Sequence, residues 1–206
     1  MRRSWTGAVL VLLAGAAVAE AQKPTKEFRK AFQEVFTPAK LGRDFGSFAV
    51  ILKDGIPAVS RYGEVRSPSD LQGFQTIHVD VVDGQLAYDA KAAKSPLGTL
   101  LRRGEVVGIP YIGYGDGSVH VNFEALQTRS VTRSDVNHGG SVQTRREAFT
   151  TVMRFRLPAS LPRPAGPSEV PAVLDLVGAY LKPFRDEASA RAFAASLGSR
   201  PPAPRP

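Results

Sequence analysis

The sequence of 206 residues contains no cysteine. This absence excludes disulfide bonds, thiolate metal sites and cysteine nucleophiles together. It also excludes a lipid anchor attached to an N-terminal cysteine. A folded domain without these bonds must be stabilised by burial of its core, and a chain of this length can bury roughly 70% of its unfolded surface.

Long hydrophobic runs are also missing, except near the N-terminus. Arg2 and Arg3 precede an apolar run over 8–18, and the residues over 17–21 offer two cleavage sites of the small-x-small type. This run is too short to span about 30 Å of hydrocarbon. We therefore interpret 1–21 as a secretory signal peptide that is cleaved. The prediction is an exported protein, periplasmic or secreted, whose mature chain has no transmembrane segment.

Acidic residues are fewer than basic ones. The 27 Lys and Arg residues exceed the 19 Asp and Glu residues, so that the net charge is +8 and the isoelectric point is about 10.0. Hydrophobic residues make up 43% and charged residues 22% of the chain, which is ordinary for a globular protein and excludes a disordered one. This length predicts one folded domain, with two small domains as the alternative.

Asp-Gly dipeptides between apolar runs predict β-hairpins, because both central positions of a type I′ turn need a positive φ that Asp tolerates and Gly prefers. The sequence contains three of them: Asp54-Gly55, Asp83-Gly84 and Asp116-Gly117. A fourth hairpin is predicted around 137–140, with a return strand over 149–157 whose period of two separates apolar residues from arginines. These turns predict a mainly β fold, an antiparallel meander of about seven strands that forms a small barrel or sandwich.

Both ends of the chain have the residue spacing of amphipathic helices. An apolar stripe over 24–36, with Thr25 as its cap, predicts an N-terminal helix. Ser168 is the predicted cap of a later helix whose apolar face extends to Leu181, and a second helix is predicted over 186–197. The predicted organisation is a signal peptide (1–21), an N-terminal helical segment (22–40), an antiparallel β domain (41–160), a C-terminal helical segment (161–198) and a Pro-rich tail (199–206).

One short stretch contains the three residue types of a catalytic triad, Asp116, Ser118 and His120. On a strand, Ser118 and His120 point the same way but lie about 7 Å apart, which is too far for direct proton transfer. The strand-turn-helix context of a nucleophile elbow is also missing. We therefore interpret this stretch as a hairpin turn followed by an exposed strand.

Cofactor and metal motifs are absent as well. The glycines of 113–117 are followed by neither a helix N-terminus nor a lysine, which phosphate-binding loops need. Three histidines lie far apart in the sequence, His78, His120 and His138. Because none of them forms a closely spaced ligand pair, no metal site is predicted. The sequence thus predicts no cofactor, no metal and no catalytic residue.

The clearest charge asymmetry is an excess of arginine between residues 129 and 163. This segment contains seven arginines and two acidic residues, a net charge of +5: Arg129, Arg133, Arg145, Arg146, Arg154, Arg156 and Arg163 against Asp135 and Glu147. The guanidinium fork binds carboxylate and phosphate groups in a bidentate manner. The residues predicted to bind an anionic ligand are Arg129, Arg133, Arg145, Arg146, Arg154 and Arg156.

The predicted hairpin around 137–140 would bring several of these arginines together. Arg129 and Arg133 would face the strand that carries Arg145 and Arg146, and such like charges repel unless an anion neutralises them. The alternative is a solvated face whose charges prevent aggregation of an exposed hairpin.

Four short segments together resemble a family of exported proteins. They are 51–56 (ILKDGI), 100–107 (LLRRGEVV), 115–121 (GDGSVHV) and 153–158 (MRFRLP). With the signal peptide and the terminal amphipathic helix, their order is similar to that in exported β-rich hypothetical proteins of soil bacteria such as acidobacteria. The resemblance extends over roughly 45–182. It implies export and a β core, and it implies no activity and no catalytic residues.

Three functional hypotheses follow. The first is a non-catalytic exported β domain that binds an anionic glycan, lipopolysaccharide or another envelope protein through the basic hairpin. Nucleic acid is not an expected partner, because 126–148 lacks the aromatic residues on which bases stack. The alternatives are an exported hydrolase whose site brings together distant residues such as His78, Asp80 and His120, and a purely structural interaction module that uses the helices or the tail.

Overall fold

The computed structural model describes residues 23–60, 76–90, 94, 98–135 and 141–198, and for 133–135 and 141–143 it describes the backbone alone. Strand (43%) exceeds helix (24%), so the predicted mainly β class with helical ends is confirmed. The helices are α1 (Lys26–Val35), α2 (Val170–Gly178) and α3 (Glu187–Gly198), and a 3₁₀ turn, Pro167–Glu169, precedes α2. The strands are β1 (Ser47–Ile51), β2 (Ile56–Ser60), β3 (Ile77–Val82), β4 (Gln85–Tyr88), β5 (Gly98–Leu101), β6 (Val106–Gly115), β7 (Ser118–Ala125), β8 (Arg129–Asp135), β9 (Ser141–Glu147), β10 (Phe149–Arg156) and β11 (Leu181–Phe184).

The main sheet curls into a half-barrel. Seven strands form a continuous path in the order β11-β1-β6-β7-β10-β2-β5, while β3 and β4 branch from β10. The branch arises because the start of β10 pairs with β2, and the following residues, Thr151 to Phe155, pair with β3. The β3–β10 pair is parallel, so the sheet is mixed and its strands do not follow sequence order as in the predicted meander.

Two of the three predicted Asp-Gly hairpins are present. Asp83 and Gly84 both have positive φ, 49° and 73°, and join β3 to β4, as a type I′ turn requires. Gly117, with φ 58°, closes the β6–β7 hairpin. The hairpin predicted at Asp54-Gly55 is wrong. Both edges of β1 are occupied by β6 and β11, so β2 pairs elsewhere, and the Gly55 N–H donates to the carbonyl oxygen of Leu101.

The fourth predicted hairpin exists with a different return strand. Strand β8 pairs with β9 in a separate two-stranded ribbon, and the predicted turn at 137–140 lies outside the described residues. The predicted return strand over 149–157 is instead β10, in the centre of the main sheet. Its predicted alternation is correct: Met153 and Phe155 are fully buried, and Arg154 and Arg156 lie on the opposite face.

The N-terminal helix forms as predicted. The Thr25 hydroxyl accepts a hydrogen bond from the Phe28 N–H at 3.1 Å and caps α1. Phe28, Phe32 and Phe36 are buried and pack into the main core together with apolar residues of α2. Helices α1 and α2 therefore cover one face of the sheet.

The C-terminal segment differs from the prediction in one respect. The helix predicted to reach Leu181 ends at Gly178. Leu181 is instead the first residue of β11, an edge strand that pairs with β1, and its side chain is buried. Its predicted cap, Ser168, lies in the 3₁₀ turn and bonds Glu169 instead. The second helix forms as α3, which contacts β1, β6 and β11. Its apolar contacts involve Val50 and Val106, whose strand neighbours belong to the main core, so α3 lies on the opposite face from α1 and α2.

None of the helices within the described residues combines the length and the apolar character that crossing a membrane requires.

Candidate functional site: the β7–β10 pocket

The strand register aligns polar residues in two rows on one face of the sheet. Arg154 of β10 is opposite His120 of β7 and opposite Asp80 of β3. Two residues further along β10, Arg156 is opposite Ser118. Since alternate residues of a strand share a face, all five side chains emerge on the side opposite Met153 and Phe155.

These residues line a pocket of about 400 Å³, which we call the β7–β10 pocket. Its volume lies within the range of small-molecule sites, about 300–1,000 Å³. It is lined by Asp80, Gly115, Asp116, Gly117, Ser118, His120, Arg154, Arg156, Leu157 and Arg163. Three arginines and two aspartates leave an excess of one positive charge when His120 is neutral. The Leu157 N–H donates to the Gly117 carbonyl oxygen at 2.8 Å and ties the β6–β7 turn to the end of β10.

The three arginines of the pocket differ in their partners. Arg154 Nη2 donates to Asp80 Oδ2 at 2.7 Å, whereas its Nε–H is buried without a hydrogen-bond partner. In the part of the chain that the structure describes, no carboxylate pairs with Arg156 or Arg163. The Arg163 guanidinium carbon lies 3.4 Å from the position that a Cβ on Gly117 would occupy. Two guanidinium groups therefore remain available to a ligand.

Ser118 and His120 are in direct hydrogen-bond contact, which corrects the expectation that they lie too far apart. Ser118 Oγ is 2.9 Å from His120 Nε2. The expected separation of about 7 Å is that of the two residues along the backbone of the strand. The imidazole of His120 extends along the strand far enough to reach the Ser118 hydroxyl. Ser118 is 9% exposed, and it lines the pocket together with His120.

Glycines on β6 provide the space for this contact. Gly113 is opposite His120, and Gly115 is opposite Ser118. A Cβ on Gly115 would lie 2.8 Å from Ser118 Oγ and 3.0 Å from His120 Nε2, too close for either atom to keep its position. Gly113 and Gly115 therefore accommodate the Ser118–His120 pair.

The pocket favours the neutral form of its histidine. Burial lowers the pKa of the His120 imidazole below its ordinary value of 6.5. Electrostatic interactions with Arg154 and with His78 lower this pKa further, and the carboxylate of Asp80 opposes them. At neutral pH, His120 is therefore uncharged, and its Nε2 can accept a proton.

Arg129, another of the predicted arginines, lies outside the pocket and contacts Glu105 and Thr99; we call these three residues the Arg129 site. Arg129 Nη2 donates to both carboxylate oxygens of Glu105, at 2.7 and 2.9 Å. Its Nη1 donates to Thr99 Oγ1, and its guanidinium carbon lies 5.9 Å from the centre of the Phe149 ring. Glu105 is buried, and it also accepts a hydrogen bond from the Arg102 N–H at 2.7 Å. The charge of Arg129 is therefore already neutralised within the protein.

The remaining predicted arginines lie on the β8–β9 ribbon. Arg145 and Arg146 are exposed there, and their register partners are Val131 and Ser130. Arg133 is in register with Gln143, and Arg129 with Glu147. No two of these arginines are therefore directly opposite each other in the register of the ribbon.

The three residues of the hypothetical hydrolase are only partly brought together. Asp80 and His120 line the β7–β10 pocket, with Arg154 between them in register. His78 is exposed and is opposite Val152, outside the pocket lining. His138 lies outside the described residues. Over the described ranges, no cluster of three or more His, Asp or Glu residues could hold a metal ion.

Comparison of the chain with protein-family models, with curated proteins and with solved structures gives no match.

Proposed function

We propose that this protein is an exported β domain that binds a phosphate or carboxylate group of an anionic ligand in the β7–β10 pocket. The observation that carries the proposal is the presence of Arg156 and Arg163, without carboxylate partners among the described residues, at one concave site. Cations that line a cleft attract anions more strongly than cations on a flat surface do. A guanidinium fork also matches the oxygens of phosphate and carboxylate groups.

The buried Nε–H of Arg154 is a second argument for this pocket. A buried donor without a partner costs about 1–3 kcal/mol. This cost offsets most of what Arg154 would otherwise contribute to the free energy of unfolding. We interpret Arg154 as a residue retained for the charge that it contributes to the ligand site.

Export, predicted from residues 1–21, would expose the pocket to polymers of the bacterial envelope. Phosphates of lipopolysaccharide and carboxylates of acidic glycans both provide the chemistry that arginine recognises. The proposal differs from the sequence-based hypothesis in its location, since it assigns binding to the pocket rather than to the β8–β9 ribbon.

Binding by two variants with the same change in charge tests this location. The pocket variant is Arg156→Ser/Arg163→Ser, and the matched control on the ribbon is Arg145→Ser/Arg146→Ser. Calorimetric titration with pyrophosphate, trigalacturonate and lipopolysaccharide measures affinity and distinguishes free phosphate, acidic glycan and lipid as sources of the anion. Hydrogen bonds to charged groups contribute about 1.5–3 kcal/mol each, so the pocket variant should lose affinity by about tenfold or more.

The ribbon control should bind like the unmodified protein. Affinity should also fall as NaCl is raised from 0.15 M to 1 M, because the Debye length shortens from about 8 to about 3 Å. An equal loss of affinity in both variants would show that only net charge matters. A loss confined to the ribbon variant would assign the site to β8–β9 and refute the pocket.

A further inference from the structure

We propose that Ser118 and His120 form a nucleophile and general-base pair that hydrolyses a carboxylic ester carrying a separate anionic group. The Oγ–Nε2 distance of 2.9 Å is within the range in which a base accepts the proton of a serine hydroxyl. Both side chains line the same pocket as the unpaired arginines. The inference rests on the proposed function, because Arg156 and Arg163 would hold the anionic group of the substrate.

The surroundings of the pair suit this chemistry. Gly115 leaves the space beside Ser118 Oγ and His120 Nε2 free of side-chain atoms. Arg156 is opposite Ser118 in the strand register, which places a guanidinium that would hold the anionic group of the substrate on the strand next to the nucleophile. Asp80 bonds Arg154 rather than His120, so the site is a dyad and not a triad.

The reaction balances with water as the only co-reactant. Ser118 Oγ forms a bond to the ester carbonyl carbon while its proton moves to His120 Nε2. The carbon–oxygen bond to the alcohol then breaks, and the leaving oxygen takes the proton from His120. Water attacks the resulting acyl-serine and gives a proton to His120, which passes it to Ser118 Oγ as the carboxylic acid leaves.

Two aryl esters test the dyad and its substrate class in the full chain. The probes are 4-nitrophenyl hemisuccinate, which carries a carboxylate, and neutral 4-nitrophenyl butyrate. The protein should hydrolyse the hemisuccinate with the higher kcat/KM. Ser118→Ala and His120→Gln should each lower this value by about 100-fold or more, the usual contribution of general-base catalysis. Ser130→Ala, an exposed serine on β8, is the control and should not change it.

Two further measurements separate this inference from the proposed binding function. A succinyl group should be detected by mass spectrometry on the peptide that contains Ser118, and Ser118→Ala should still bind pyrophosphate, which also shows that it is folded. If Ser118→Ala binds pyrophosphate and hydrolyses the ester as fast as the unmodified protein, the dyad is refuted and binding stands. If hydrolysis depends on Ser118 but favours the neutral ester, the anionic substrate class is refuted.

Discussion

The β7–β10 pocket and the Arg129 site both draw on one arginine-rich segment, but they use the guanidinium group in different ways. Arg129 has a bidentate carboxylate partner, a hydroxyl acceptor and an aromatic ring beside it. In the pocket, Arg154 shares one hydrogen bond with Asp80, and the described residues include no carboxylate paired with Arg156 or Arg163. The first arrangement stabilises the protein, whereas the second leaves charge available for a ligand.

This difference shows why a count of arginines is a poor measure of a binding surface. Arg129 and Arg154 are both partly exposed, with side chains 31% and 38% accessible. Their exposure is therefore similar, and the acids that face them decide their roles. Glu105 is buried beside Arg129, and both of its oxygens accept hydrogen bonds from Arg129 Nη2.

The largest expected effect is on stability at the Arg129 site. Glu105→Ala removes both carboxylate acceptors of Arg129 and the acceptor of the Arg102 N–H. Breaking a buried ion pair costs about 3–5 kcal/mol. Because Arg129 is partly exposed, we expect the free energy of unfolding in urea to fall by about 2–3 kcal/mol.

The control for this prediction is the exposed pair of Glu187 and Arg191 on α3, which are 45% and 52% accessible. Glu187→Ala should change the free energy of unfolding by less than about 0.5 kcal/mol. Similar losses in the two variants would contradict the view that burial makes the Arg129 site structural.

A smaller effect is expected at Asp80, where stability and binding should change in opposite directions. Asp80→Asn removes the charged partner of Arg154, and because both side chains are partly exposed the free energy of unfolding should fall by only about 1 kcal/mol. The pocket gains one positive charge, so pyrophosphate should bind severalfold more tightly in a calorimetric titration. Weaker binding would indicate that Asp80 holds Arg154 in its ligand-binding position.

The smallest effect concerns pH. The pKa of His120 in the folded protein is lower than its ordinary value of 6.5. As pH falls below about 6.5, the unfolded chain therefore binds more protons than the folded protein does. Stability contributed by neutral His120 is therefore complete above about pH 6.5 and is lost as pH falls toward the folded pKa. Urea unfolding at pH 7.5 and pH 5.5 should show a smaller decrease for His120→Gln than for the unmodified protein. An equal decrease in both would contradict this assignment.

Local patterns in the sequence predicted much of the fold. The turns at Gly84 and Gly117, the alternation along β10 and the cap of α1 all depend on residues a few positions apart. The wrong predictions about the sheet concern strand partners. Asp54-Gly55 suggested a hairpin because apolar strands flank it, yet β1 is paired on both edges with strands distant in sequence.

The candidate site was predicted only in part for the same reason. Arg154 and Arg156 were singled out by composition, but Asp80 reaches Arg154 through a parallel strand pairing, which no short turn in the sequence indicates. The contact of Ser118 with His120 had a signal in the sequence: a two-residue turn places Gly-x-Gly opposite Ser-x-His and leaves room for the imidazole. Spacing along the backbone alone did not reveal that contact.

Composition and short-range periodicity were enough to define a disulfide-free, mainly β chain with helical ends, because turns, caps and alternation are set by neighbouring residues. The division of the arginines between a neutralised pair and an open pocket depended on tertiary structure. Whether a guanidinium is free or paired is determined by the carboxylates that reach it. Asp80 on β3 and Glu105 in the turn before β6 bind Arg154 and Arg129 from positions that are 74 and 24 residues away along the chain.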